Sequence, residues 1–155
     1  MKLLTGFACK IPFVRCCCSG LLLAASSIAF PAIAADDALL VVANLENQQP
    51  VTLTREQVRN LFMGIPVGKS LTPVVLSPDN HTRVDFNTRV IGMAESRIQS
   101  YWAQMKFTGR KSPPEEFRSE AELILFLQQN PGSIGYISKT TLLPENLQVV
   151  YEDAR

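Results

Sequence analysis

Short apolar runs alternate with helical apolar spacings through most of the chain after residue 37. Ala38 to Ala43 and Val74 to Leu76 are continuous apolar runs, which are typical of strands covered on both faces. Two further strands are predicted at Ser133 to Ser138 and at Leu147 to Tyr151. Because strands and helices alternate, the pattern predicts an α/β fold, a three-layer sandwich with a mainly parallel or mixed sheet.

Four helices are predicted between these strands from apolar residues three and four apart. The first follows a capping box of Thr54 and the glutamine three residues later, and the second begins at His81. The third runs from Ala94 to Lys106. The fourth follows a second capping box at Ser119 and extends through Gln129. Since this last helix is apolar around much of its circumference, we expect it to be deeply packed.

The first 34 residues predict a cleaved signal peptide, so that residues 35–155 form the single domain. Three basic residues and no acidic one precede an apolar segment from Gly20 to Ile33. The small residues Ala32 and Ala34 fit the requirement of signal peptidase and place cleavage after Ala34. An uncleaved anchor or a lipoprotein is the alternative. The cysteines at 16–18 precede the apolar segment, whereas a lipid-attachment cysteine should follow it.

Cleavage changes the composition of what remains. Removing 34 of the 155 residues leaves 121, enough for one domain, and all four cysteines leave with the leader. The net charge falls from +1 to −2, because the leader carries three positive charges and no negative one. We therefore expect an exported, periplasmic protein without disulfides, with no membrane span after cleavage and no nucleic-acid partner.

Few catalytic chemistries remain open to the mature chain. It contains no cysteine, which excludes cysteine nucleophiles and thiolate metal sites, and its single histidine is His81. It contains neither a Gly-x-Ser-x-Gly elbow nor a P-loop. His81 and Asp85 could share a helix face as metal ligands, but no third ligand is indicated. The pair Glu115 and Glu116 lies in a proline-rich stretch and is expected to be a solvated loop. Elimination predicts a protein that is not an enzyme, with no catalytic residue, metal or cofactor.

One stretch, Thr72 to Ile91, combines a buried strand, a polar turn and a helix start. The first backbone N–H groups of such a helix are free to bind an anion at the carboxyl end of a sheet. Asn80 and Thr82 could add side-chain donors, and Arg83 a positive charge. The alternative is an ordinary helix cap, in which Asp79 or Asn80 bonds the first turn. The residues by themselves leave both interpretations open.

Five segments in order resemble one lobe of a known family. They are Leu53 to Gly64, Pro73 to Leu76 leading to Asn80–Phe86, Tyr101-Trp102, Phe107-Thr108-Gly109, and Pro131 to Ile137. The last, PGSIGYI, is similar to the family motif P-G-A-I-G-Y. Together they resemble the second lobe of the phosphate-binding proteins of ABC importers, which belong to the type II periplasmic binding protein superfamily. The resemblance covers nearly all of the predicted mature chain.

This resemblance implies a ligand site for phosphate or a similar oxyanion at Asn80, His81, Thr82 and Arg83. The family motif is Ser-Gly-Thr, often followed by Arg; here Asn80 and His81 replace its serine and glycine. A single lobe offers half the usual donors and cannot close over its ligand, so we expect modest affinity. The implied partners are an ABC permease, another envelope protein, or a second copy through the cleft face. The alternative function is an interaction or sensory accessory module of the cell envelope that has lost ligand binding.

Overall fold

The computed structural model describes residues 38–45 and 50–153, so the predicted signal peptide and its cleavage site lie outside the described residues. The strands are β1 (Leu39–Ala43), β2 (Thr72–Leu76), β3 (Glu115–Phe117), β4 (Ser133–Ser138) and β5 (Gln148–Asp153). The helices are α1 (Arg55–Phe62), α2 (His81–Phe86), α3 (Glu95–Phe107) and α4 (Glu120–Gln129). A π-helical turn, Asn87–Ile91, continues α2.

The five strands form one mixed sheet in the order β3-β2-β4-β1-β5. β2 is parallel to β3 and to β4, and β1 is antiparallel to β4 and to β5. The predicted α/β fold with a mixed sheet is therefore confirmed. Because β2, β3 and β4 point the same way, the turn after β2, the start of α4 and the segment after β4 all lie at one edge. We call this edge the carboxyl edge.

Helices cover both faces of the sheet. Neighbouring residues of a strand point to opposite faces. A Cβ atom on Gly135 would lie 2.8 Å from Leu123 of α4, whereas the next residue, Tyr136, packs against Phe62 of α1 and Phe86 of α2. One face therefore carries α4 and the other carries α1 and α2, which gives the three layers that the sequence predicted.

The core beneath α1 and α2 is aromatic. The rings of Phe86 and Tyr136 stack with centroids 3.9 Å apart, and the ring of Phe62 lies 4.8 Å from that of Phe86. The Tyr136 hydroxyl accepts a hydrogen bond of 3.2 Å from the backbone N–H of Leu76, at the end of β2. Burial raises the pKa of Tyr136 well above its usual range. This cluster fixes the end of β2, and hence the turn that follows it.

Both predicted capping residues begin helices, but only one capping box is complete. Thr54 accepts from the backbone N–H of Gln57, and the Gln57 side chain accepts from the backbone N–H of Thr54. Ser119 likewise caps α4 by accepting from the N–H of Glu122. The Glu122 carboxylate, however, accepts from the N–H of Arg118 instead of that of Ser119.

Two other expectations were wrong. The fourth helix is buried on one side only: Leu123 and Leu127 are fully buried, but Leu125 on its outer side is 56% exposed. Helix α4 covers only one face of the sheet, so its outer side meets solvent.

Glu115 and Glu116 belong to strand β3, where they pair with β2, and not to a loop. Although both residues are exposed as expected, the Glu116 carboxylate has a buried partner in α2.

Candidate functional site

The turn after β2 is held by hydrogen bonds at both ends. The N–H of Ser77 donates to the carbonyl of Phe117 in β3, and the N–H of Asn80 donates to the carbonyl of Ser77. Asn80 has extended backbone angles and is the N-cap of α2, where its side-chain oxygen accepts from the N–H of Thr82 at 2.9 Å. The ordinary-cap interpretation of this turn is therefore confirmed for Asn80.

The four predicted ligand residues lie in different environments. His81 is exposed, Asn80 and Thr82 are half-buried, and Arg83 is only 4% exposed. His81 begins α2 on its solvent side. Helix geometry separates Thr82 from its successor by about 100° around the axis, so neighbouring side chains do not share a face. The turn thus presents Asn80, His81 and Thr82 at the carboxyl edge, while Arg83 points into the protein.

Arg83 is the buried centre of an ion-pair network whose two carboxylates are partly exposed. Its Nε and Nη2 atoms donate to the two carboxylate oxygens of Glu95 at 2.9 and 2.6 Å, a bidentate pair. Its Nη1 atom donates to Glu116 at 2.9 Å and to the carbonyl of Leu76 at 2.5 Å. Asn87, one turn along the helix, donates to Glu95 at 2.5 Å. Arg83 therefore joins α2 to α3, to β3 and to the end of β2.

The pKa values of this network agree with two internal ion pairs. Burial by itself would lower the pKa of Arg83, but the hydrogen bonds to Glu95 and Glu116 outweigh it and raise that pKa. Burial would likewise raise the pKa of Glu95, but hydrogen bonds from Arg83 and Gln99 outweigh it and hold that pKa below its usual value. Both groups are therefore charged at neutral pH, and the single positive charge of Arg83 is shared between two carboxylates.

Arg83 also lines a cleft of about 440 Å³ that Thr82 does not line. The cleft lies between α2, α3 and the segment leading into β3, and Phe86, Trp102 and Pro114 form much of its apolar wall. Trp102 is largely buried in this wall. The arginine and the threonine of the predicted ligand set therefore face different parts of the protein.

Thr82 meets a carboxylate from another helix at the carboxyl edge. Its hydroxyl donates to one carboxylate oxygen of Glu120, the first residue of α4, at 2.5 Å. The N–H of Ser138, at the end of β4, donates to the same oxygen at 3.2 Å, and the hydroxyl of Thr141 donates to the other. We call the three donors Thr82, Ser138 and Thr141 the donor triad. A carboxylate of this protein thus bonds Thr82, one of the four residues at which the sequence predicted an oxyanion.

Metal-ligating side chains do not cluster in the described part of the chain. Among residues 38–45 and 50–153, no group of three histidine, cysteine or carboxylate residues is placed to hold a metal ion. In the same ranges, none of the helices has both the length and the apolar character needed to cross a membrane. What the edge offers chemically is hydrogen-bond donors for oxygen atoms.

Comparison with known proteins identifies the architecture. No family model and no curated protein matches the sequence. Among solved structures, the chain is similar to an ABC-type phosphate transport receptor from Vibrio cholerae, with 18% identity and a TM-score of 0.55 over 74% of this chain. It is similar, with 16% identity and a TM-score of 0.54, to a putative phosphate ABC transporter substrate-binding protein with bound phosphate from Clostridium perfringens. The chain has the fold of a periplasmic binding protein lobe.

The lobe corresponds to less than half of each of these two structures. The match spans 45% of the Vibrio cholerae chain and 44% of the Clostridium perfringens chain. At these identities the likeness establishes the fold and the resemblance drawn from the five sequence segments. A ligand for this lobe has to be argued from its own residues.

The sequence analysis missed Glu120, the acceptor at the centre of the donor triad. It follows Thr82 by 38 residues, and it belongs to a different helix. Its only sequence signal is an acidic residue directly after the N-cap Ser119, which normally indicates a carboxylate interacting with its own helix terminus. The parallel arrangement of β2, β3 and β4 brings it to Thr82, and that arrangement is a property of the sheet.

Proposed function

We propose that this chain is an exported, single-lobe interaction module of the cell envelope, built on the fold of a solute-binding protein. The observation that carries the proposal is that Thr82 and Arg83, the two predicted ligand residues that match the family motif, are hydrogen-bonded within the protein. The N–H of Thr82 bonds Asn80, the hydroxyl of Thr82 bonds Glu120, and Arg83 bonds two carboxylates. A phosphate ion would have to displace a carboxylate and would also meet its negative charge.

The contact face of the module is the carboxyl edge. Two apolar side chains are exposed on the segments that carry the donor triad: Leu142, which follows Thr141, is 92% exposed, and Val84 of α2 is 49% exposed. In a two-lobed binding protein this edge faces the second lobe across the ligand. Here we propose that it faces an envelope protein. In protein contacts the apolar side chains form the buried core and polar groups form the rim, so Leu142 and Val84 would lie at the core of this contact.

The second candidate function is binding of phosphate or a similar oxyanion at Asn80, His81, Thr82 and Arg83 with modest affinity. The observation that favours it is that Thr82 donates to an oxyanion group in the folded protein, although that group is the Glu120 carboxylate. An ABC permease would then be the partner.

Isothermal titration calorimetry with phosphate separates the two candidates. For the wild-type protein we expect no saturable heat up to millimolar phosphate, with sulfate as a second anion. Thr82→Val removes the hydroxyl at nearly constant volume and is the matched variant. Saturable phosphate heat that disappears in Thr82→Val would refute the interaction module and establish oxyanion binding.

Crosslinking tests the proposed contact face, and intact mass tests the export signal. Val84→Asp and Leu142→Asp should abolish crosslinking to the envelope partner, whereas Leu125→Asp on the outer side of α4 should leave crosslinking unchanged. Equal crosslinking by all three variants would place the contact elsewhere. Light scattering tests self-association as the alternative. The intact mass of protein recovered from the periplasm should correspond to cleavage after Ala34.

A further inference from the structure

We infer that Glu120 is a built-in ligand: its carboxylate occupies an oxyanion site formed by the donor triad, which accepts a small oxygen anion when that carboxylate is withdrawn. The inference builds on the proposed function, since it gives the reason why the native chain does not take phosphate. It differs from the ligand set implied by the resemblance, because Ser138 and Thr141 replace Arg83 in the site.

The geometry resembles a bound ligand more than a surface contact. Both oxygens of the Glu120 carboxylate accept hydrogen bonds, one from Thr82 and Ser138 and the other from Thr141. The three donors come from α2, from the end of β4 and from the segment after it. Hydrogen bonds to a charged acceptor are about twice as strong as neutral ones, so convergence of three donors on one carboxylate defines a specific site.

Glu120 is not needed to cap its own helix. Ser119 performs that function by accepting from the N–H of Glu122. The Glu120 side chain is instead directed towards α2 and β4, and it is half-buried. A carboxylate in this position satisfies the hydroxyls and the amide that line the site. Removing it leaves three donors directed at one space that is open to solvent on one side.

Such a space suits a carboxylate or phosphate oxygen anion. Two hydroxyls and one N–H are donors to oxygen, and hydroxyls adjust their direction to planar and tetrahedral anions alike. Formate reproduces the lost carboxylate group, and inorganic phosphate tests whether a tetrahedral anion fits the same donors. Comparing the two ions therefore shows whether the donors accept a carboxylate group, a phosphate group or both.

The experiment is chemical rescue of Glu120→Ala followed by thermal unfolding. We expect the variant to melt below wild type and to be stabilised by formate or phosphate but not by chloride at equal ionic strength. At an anion concentration tenfold above Kd, the melting temperature should rise by roughly 5 °C. Wild-type protein should show no such rise, because its own carboxylate fills the site.

Two matched variants identify the donors. Glu122→Ala removes a carboxylate from the same helical turn, but one that accepts from the N–H of Arg118, and it should gain no anion response. Glu120→Ala combined with Thr82→Val should lose the response that Glu120→Ala gains. Should Glu120→Ala fail to fold, Glu120→Ser removes the carboxylate while it keeps a small polar side chain at the start of α4, and it carries the same expectations.

The inference is overturned if the folded Glu120 variant gains no anion-specific stabilisation, or if the added Thr82→Val change leaves that stabilisation intact. Its failure is distinct from failure of the proposed function. Saturable phosphate binding by the wild type would refute the proposed function alone, provided that Glu120→Ala binds phosphate at least tenfold more tightly. Equal affinity of wild type and Glu120→Ala would overturn the built-in ligand as well.

Discussion

Replacing Arg83 by methionine tests whether this arginine holds the lobe together. Methionine retains much of the apolar stem and fills the space without a charge. The change removes the bidentate pair with Glu95, the pair with Glu116 and the hydrogen bond to the carbonyl of Leu76. If Arg83 were mainly a ligand residue, its loss would affect binding and leave the free energy of unfolding nearly unchanged.

The magnitude follows from what the loss leaves behind. Breaking a buried ion pair by removing one partner costs about 3–5 kcal/mol, because the other charge is left unpaired. The Glu95 side chain is 27% exposed and that of Glu116 is 45% exposed, so both carboxylates can regain water. We therefore expect the lower end, about 3 kcal/mol. For about 120 residues this corresponds to a melting temperature lower by roughly 12 °C.

Urea unfolding followed by circular dichroism measures the effect, and differential scanning calorimetry gives the melting temperature. Arg97→Met, an exposed arginine of α3, is the control and should change stability by less than about 0.5 kcal/mol. The double change Arg83→Met with Glu95→Gln should recover part of the loss, since it removes the unpaired carboxylate. If Arg83→Met stays within 1 kcal/mol of wild type, the network is not what stabilises this region.

Three further changes test other parts of the lobe. Glu95→Gln should lower stability at neutral pH. Because the folded pKa of Glu95 lies below its ordinary 4.5, the difference from wild type should be full above pH 4.5 and narrow as the pH falls below it, in urea titrations at stepped pH. Tyr136→Phe leaves the buried N–H of Leu76 without its acceptor and should lower the free energy of unfolding by about 1–3 kcal/mol. An unchanged unfolding midpoint would show that this bond does not contribute to stability. Thr54→Ala should cost about 1 kcal/mol by thermal melting, with the exposed Thr52→Ala as its control.

The regular elements were predictable because their signals are local. The continuous apolar run of β1 and the segment of β4 need only their own residues to indicate covered strands, and both appear within one residue of the prediction. The Thr54 capping box is local too, and its two hydrogen bonds are present. The exposure of Leu125 was not predictable in this way, since a helix sequence does not say how many of its sides meet a partner.

The partners of the predicted ligand residues were not predictable from the sequence. Arg83 lies 12 residues from Glu95 and 33 from Glu116, and Thr82 lies 38 from Glu120. No local pattern connects residues at such separations. Sheet order brings them together, because β3 and β4 flank β2 and deliver the start of α4 and the end of β4 to the same edge. The sequence indicated a motif, whereas the topology determines what that motif contacts.

The resemblance in the turn after β2 therefore supports the fold more strongly than it supports a particular ligand. Thr82 and Arg83 follow the family pattern, yet in this lobe each is bonded to a carboxylate of the same chain. An arginine balanced by Glu95 and Glu116 has no net positive charge to offer an anion, and a threonine that donates to Glu120 must first release it. The contributions of Arg83 and Thr82 can still be tested separately. Arg83 contributes to stability from within the protein, whereas Thr82 meets Glu120 at the solvent-facing carboxyl edge. A change at Glu120 should consequently produce an anion response, whereas a change at Arg83 should lower the free energy of unfolding without one.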